Sequence, residues 1–244
     1  TSPTALILPV RELVRRARAA GIITIVDGAH APGQIPLDLE ALGVDFYAGN
    51  CHKWLCSAKG SAFLYARREM QPLLEPLVVS WGWEPEQTTL LSLHGGETSP
   101  FILQQEWQGT RDIAAYLSVP AAIRFQAEHD WPRVRQECHE LVRYAREAIG
   151  ELTGLEQICP DSPEWYAQMA TIPLPPCDPE ELKRRLYEEY RVEMPIIEWP
   201  ALGRAGTGAG RQFVRVSVQG YNTREDVETL VRALRDLLAP LARP

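Results

Sequence analysis

The sequence predicts an α/β chain, a mostly parallel sheet with helices followed by a smaller α+β region. Three observations carry this. The run Ile22-Ile23-Thr24-Ile25-Val26 is continuously β-branched or apolar and ends at Asp27, as suits a strand buried on both faces of a parallel sheet. A short helical segment, Leu37 to Leu42, separates it from a second strand at Asp45 to Ala48, the spacing of a βαβ crossover. After Gly154 the elements become shorter and alternate between strand and helix patterns. With 244 residues, 45% of them apolar and 23% charged, the chain can bury a core of useful size.

Taken in order, Arg11 to Ala20 reads as an amphipathic helix with Leu13, Val14, Ala17 and Ala20 on one stripe, stopped by Gly21. The two strands and their crossover follow, and Ser61 to Ala66 reads as a third strand. Leu90 to Gln108 is poor in regular signals, with Gly95-Gly96 and Pro100 as breakers. Thr110 to His129 and Pro132 to Thr153 are helical stretches, with a domain boundary expected near residues 126–132. Leu155 to Ile158 and Met169 to Leu174 read as strands, Pro179 to Tyr190 as a helix, and Val192 to Trp199 as extended chain. Gln212 to Val218 alternates as a strand should. Thr223 to Leu238 closes as a helix, with Thr223 as N-cap and Asp226 completing a box-like pattern.

Composition excludes several roles. A net charge of -7 and a pI near 5.4 give no electrostatic case for nucleic acid. The apolar run Ala5 to Val10 is far shorter than a membrane helix, contains Pro9 and lacks the flanks of a signal peptide. Five irregularly spaced cysteines without a CxxC pair support neither a zinc site nor a disulfide framework, so a reducing, cytoplasmic setting is expected. Of the 25 basic residues 22 are Arg, so a Lys in an unusual setting is there for its amine. The three are Lys53, Lys59 and Lys183.

The informative cluster is Val26-Asp27-Gly28-Ala29-His30 with Gly49-Asn50-Cys51-His52-Lys53-Trp54. Taken singly, Asp27 fits a turn, His30 a loop histidine and Lys53 a solvated side chain. Together they follow the carboxyl ends of two strands, where open parallel sheets bind ligands. An amine and a carboxylate there suit pyridoxal phosphate, the amine for a Schiff base and the carboxylate for the pyridinium nitrogen. Lys59 precedes a strand, at the wrong end by the same rule, and reads as a loop charge. Gly203 to Gly210 is glycine-rich, but it precedes a strand and lacks the G-K-[ST] ending. It is therefore expected to be a mobile loop over substrate, not a nucleotide loop. His94-Gly95-Gly96 reads as an ordinary loop, and Cys51 and Cys56 as small structural cysteines.

These stretches resemble the class V aminotransferase family of fold-type I pyridoxal-phosphate enzymes, in particular its isopenicillin-N epimerase-like branch. The resemblance is carried by VDGAHAPGQIPLDLEALGVDFYAGNCHKWLCSAKGSAFLYARRE, EWQGTRDIAAYLSVPAAIRF and FVRVSVQGYNTREDVETLVRAL, from Val26 to Leu234. It implies that residues 1–128 are the C-terminal part of a cofactor-binding large domain and 129–244 a small α+β domain. It also implies that the family's N-terminal part precedes Thr1, with its glycine-rich phosphate turn and ring-stacking aromatic. Lys53 matches the Schiff-base lysine, Asp27 the partner of the pyridine nitrogen and His30 the neighbour of the ring hydroxyl. Asn50 and His52 fall where relatives contact the phosphate, many of them with Ser at the Asn50 position. Gly109-Thr110 matches a turn that reaches the phosphate in the other subunit of a homodimer. The sequence is consistent, since Thr110 is expected to open a helix.

Arg215 matches the arginine that grips the α-carboxylate of a small amino-acid substrate; the plainer alternative is an exposed strand arginine. The resemblance leaves aminotransfer, epimerisation and C–S lyase chemistry open. Desulfurases of this type carry a nucleophilic Cys in the loop before the arginine, and Pro200 to Arg211 contains none. The competing expectation is an incomplete chain of such an enzyme without independent catalysis.

Overall fold

A computed structural model describes residues 1–83, 99–199 and 211–241, with side chains through Leu238 except that of Trp199. The chain divides into two compact units, Val10–Arg124 and a second made of Thr1–Pro9 with Phe125–Pro244.

In the first unit, α1 (Val10–Ala19) turns Val14 into a small core with Val44 and Tyr47. Strand β1 (Ile25–Asp27) is followed by α2 (Leu39–Leu42), whose first turn is capped by the Asp38 carboxylate and whose end turns through Gly43 at φ 71°. Strand β2 (Phe46–Asn50) runs parallel to β1, with Asp27 opposite Ala48, and completes the expected crossover. Strand β3 (Ala62–Ala66) returns antiparallel, so this three-stranded sheet is mixed. The expectation that Ile22 to Val26 is buried on both faces does not hold: only Ile25–Asp27 pairs, and Ile25 is 79% exposed. Within the described residues β1 is an edge strand, paired on one side alone.

A 3-10 turn at Arg68–Leu73 leads towards α3 (Pro100–Glu106), capped by Ser99, inside a stretch expected to be irregular. His94-Gly95-Gly96 lies outside the described residues. Thr110 does not open a helix. Gly109 sits at φ 80°, and the Asp112 carboxylate instead accepts from the Ala114 N–H at 2.8 Å, starting α4 (Ala114–Leu117). The chain then breaks before α5 (Val119–Glu128), because Pro120 belongs in a first helical turn and cannot continue a preceding one. The division between the units falls within α5.

In the second unit, α6 (Trp131–Thr153) ends at Gly154 in the left-handed conformation. Leu155 to Ile158, expected as a strand, is irregular. Its neighbourhood is held by side chains instead: Thr153 Oγ1 accepts from the Leu155 N–H, and buried Arg146 donates to the Cys159 carbonyl at 2.8 Å. Strand β4 (Met169–Leu174), α7 (Pro179–Tyr190), β5 (Ile196–Trp199), β6 (Arg211–Ser217) and α8 (Arg224–Leu241) follow. The sheet is antiparallel in the order β4-β6-β5. Ile172 pairs with Val214 and Ala170 with Val216, and this face packs with residues of α6, α7 and α8 into the larger core. The helix α8 starts with the expected capping box, Thr223 N–H to Asp226 Oδ2 at 2.9 Å and Asp226 N–H to Thr223 Oγ1 at 3.3 Å. Among the described residues no helix is long and apolar enough to cross a membrane.

Candidate active site

The site in the first unit is built at the carboxyl edge of β1 and β2. Asp27 is the last residue of β1, and its carboxylate accepts from the Ala29 N–H at 3.0 Å, bending the chain away from the strand. Glycine is required in this bend. A side chain at Gly28 would run into the Tyr47 ring, and one at Gly33, whose φ is 82°, into the Trp54 carbonyl. The bend therefore lies close against the turn after β2, and His30 meets Lys53 and Trp54. The Lys53 Nζ lies 3.3 Å from His30 Nε2, and the Trp54 indole N–H donates to His30 Nδ1 at 3.1 Å.

The Lys53 turn is fixed from both sides. The Cys51 N–H donates to the Ser61 carbonyl at 3.0 Å, and the Ser57 N–H to the Cys51 carbonyl at 3.1 Å. Cys51 is buried, which pushes its thiol up and makes it a packing residue, not a nucleophile. Asn50 and His52 are brought together on the same turn. A carbonyl can only accept, so the 2.7 Å contact between His52 Nδ1 and the Ser61 oxygen places the hydrogen on Nδ1. His52 Nε2 then accepts from Asn50 Nδ2 at 3.1 Å. For His52 to donate to a phosphate it would need a second proton on Nε2, with the Asn50 amide turned or displaced. Tyr47 supports the floor, stacked on Phe63 with ring centroids 6.2 Å apart. Burial and the charge of Asp27 push its hydroxyl up to about 12, so it stays protonated.

Thus Asp27, His30, Asn50, His52 and Lys53 share one edge, whereas Lys59 lies exposed in the turn before β3. Thr110 is exposed beyond Gly109, and no hydrogen bond joins it to this edge among the described residues. Arg215 belongs to the second unit, on β6 opposite Thr171. Its Nη1 donates to the Ser2 carbonyl and hydroxyl at 2.9 and 2.8 Å, while its buried Nε has no partner among the described residues. Burial lowers this guanidinium from its usual value. An anion with two oxygens is the group that would satisfy Nη and Nε together. The glycine-rich segment Gly203 to Gly210 lies outside the described residues.

The site holds the donor set that pyridoxal phosphate requires: an amine, a carboxylate at the same strand edge, an imidazole N–H and an amide-imidazole pair. In the sequence, Trp54 stands out only as the residue after Lys53; a buried indole N–H seeks an acceptor, and that is the available signal.

The fold is that of pyridoxal-phosphate-dependent enzymes. It matches an apo cysteine desulfurase from Thermococcus onnurineus with a TM-score of 0.75 at 24% identity, over 97% of this chain and 57% of that one. Residues 3–230 match the aminotransferase class-V family, and the chain belongs to it. It is 39% identical to an isopenicillin N epimerase of Streptomyces clavuligerus, over 96% of this chain and 57% of that protein. It is 30% identical to a probable L-cysteine desulfhydrase, chloroplastic, of Arabidopsis thaliana, over 98% of this chain and 49% of that protein. The chain thus spans about half the length of these relatives.

Proposed function

We propose that the whole protein is a pyridoxal-phosphate-dependent enzyme of amino-acid metabolism in which Lys53 holds the cofactor covalently. The observation that carries this is the Lys53 amine 3.3 Å from His30 at the strand edge that also ends in Asp27. The bound cofactor supplies an electron sink for charge developing at the substrate α-carbon. Lys53 contributes the amine for attachment and, when released, moves a proton at that carbon. Asp27 would hold the ring nitrogen in its protonated form. His30 would offer an N–H to the ring hydroxyl. Asn50 and His52 bind the phosphate, and Thr110 reaches the phosphate in the second subunit of a homodimer. Arg215 takes the substrate carboxylate in place of its bonds to Ser2.

The substrate is a small amino acid or derivative, and the reaction is aminotransfer, epimerisation or C–S cleavage. Similarity to isopenicillin N epimerase supports epimerisation, and similarity to the desulfhydrase supports C–S cleavage as the second reading. A cytoplasmic setting fits five free cysteines. The alternative, a chain without independent catalysis, is supported by its span of 57% of the epimerase.

Full-length protein given the cofactor is expected to show a visible absorbance band that borohydride abolishes, leaving the label on Lys53. A colourless protein, or a label on Lys59, overturns the assignment. The same experiment on residues 1–244 alone separates an active unit from an incomplete one. Product analysis for inverted amino acid, 2-oxo acid or released sulfide decides among the reactions.

A further inference from the structure

We propose that Trp54 is a positioning residue that selects the tautomer of His30 and so sets an Nε2–H towards the end of Lys53. Indole nitrogen donates and never accepts, so the 3.1 Å bond from Trp54 Nε1 fixes His30 Nδ1 as a bare acceptor. The neutral ring then carries its hydrogen on Nε2, 3.3 Å from Lys53 Nζ. That N–H calls for a nitrogen with a lone pair. An ammonium at the same position would set hydrogens against hydrogen.

The alternative pairing is an ammonium donating to a bare Nε2, with the ring hydrogen moved to Nδ1. It is closed for as long as the indole occupies Nδ1. Trp54 is well placed to enforce this. It is 8% exposed, it follows Lys53 directly, and its backbone carbonyl lies against Gly33, so the indole is held by packing. The arrangement sets an Nε2–H donor beside the end of Lys53, and the use made of it rests on the function proposed above. After attachment the same Nε2–H is the donor offered to the cofactor hydroxyl, so one indole bond serves both states.

The test uses full-length protein without cofactor, labelled with nitrogen-15 in histidine, with the His30 signals assigned through His30→Gln. The native protein is expected to show a bare Nδ1 and a protonated Nε2, and Trp54→Phe to show the hydrogen moved to Nδ1. At neutral pH, borohydride trapping of pyridoxal phosphate on Lys53 is expected to slow about tenfold in Trp54→Phe, as for loss of the one Nε2–H hydrogen bond offered to the cofactor hydroxyl. Labelling of Lys59 should stay unchanged. Replacing Trp54 with 3-benzothienylalanine, which keeps the shape and lacks the N–H, decides the matter should the Phe variant fail to fold. An unchanged His30 tautomer in the folded variant overturns the proposal while leaving Lys53 as the anchor. The expected tautomers together with no trapping on native Lys53 overturn the cofactor function, and the role of Trp54 towards His30 stands.

Discussion

The two ends of the small mixed sheet treat their polar groups in opposite ways. At the amino end of β1 and β2, Asp45 is 2% exposed and fully engaged. Its carboxylate accepts from the Thr24 N–H and hydroxyl at 2.8 and 2.9 Å and from Arg67 Nε and Nη2 at 3.1 and 2.5 Å. One carboxylate thereby joins the approach to β1, the start of β2 and the exit of β3. At the carboxyl end, Asp27 and Lys53 stay exposed, and His30 is the meeting point of two nitrogens. The first end spends its charges on holding strands together. The second keeps an amine and a carboxylate accessible, as a site must before its ligand arrives. The proposed site groups stay open while the other end is tied together.

That contrast can be broken from either side. The largest effect is expected for Lys53→Ala, which should lower turnover by about 10⁴-fold or more. It should leave stability within about 0.5 kcal/mol of native, because Lys53 is exposed. Steady-state kinetics and urea denaturation of the same preparation measure both. Asp45→Asn should do the reverse, costing about 1–3 kcal/mol by giving Thr24 and Arg67 a neutral amide in place of their buried carboxylate, while Arg67 keeps its 3.3 Å ion pair with Glu69. Its cofactor uptake per folded molecule should remain native, and a loss of uptake at full folding would show that the two ends are coupled.

A pH series sharpens the same point. Burial raises the Asp45 carboxyl, but the Thr24 and Arg67 hydrogen bonds outweigh it and leave the group below its ordinary value. A carboxyl lowered in the folded state contributes its full stability at neutral pH. The contribution declines as the pH falls below about 4 and is gone once Asp45 is protonated in both states. The acid limb of stability against pH should therefore flatten in Asp45→Asn. The smallest effect is expected for Tyr47→Phe, in the middle of the sheet. Its hydroxyl reaches the Gly28 carbonyl only at 3.5 Å, so removal should cost about 0.5 kcal/mol in the same denaturation assay.

Much of this was legible along the chain. The crossover from β1 to β2, the helix at Pro179–Tyr190 and the Thr223–Asp226 box are local patterns, set by periodicity and by side chains a few residues apart. The placement of Lys53 and Asp27 after neighbouring strands was legible because both follow runs of strand-forming residues. The misjudged places were those where a neighbour decided the outcome. Leu155 to Ile158 has strand-like residues but is held by Arg146 and Thr153, and Thr110 yields the helix start to Asp112. Ile25 has the residue type of a buried strand, yet among the described residues its strand pairs on one side alone.

What the sequence alone determined is the class of chain, the order of its elements and the residue types available for chemistry. Those follow from backbone preferences and short-range spacing. Tertiary structure alone decided the pairing of Asp45 with Arg67, the capture of both His52 nitrogens and the indole bond from Trp54 to His30. Each is a hydrogen bond whose direction depends on which atoms meet in space. Asp45 and Arg67 stand 22 residues apart, and His30 and Trp54 stand 24 apart. No local rule reaches across such separations, because packing fixes the partner before chemistry assigns the proton.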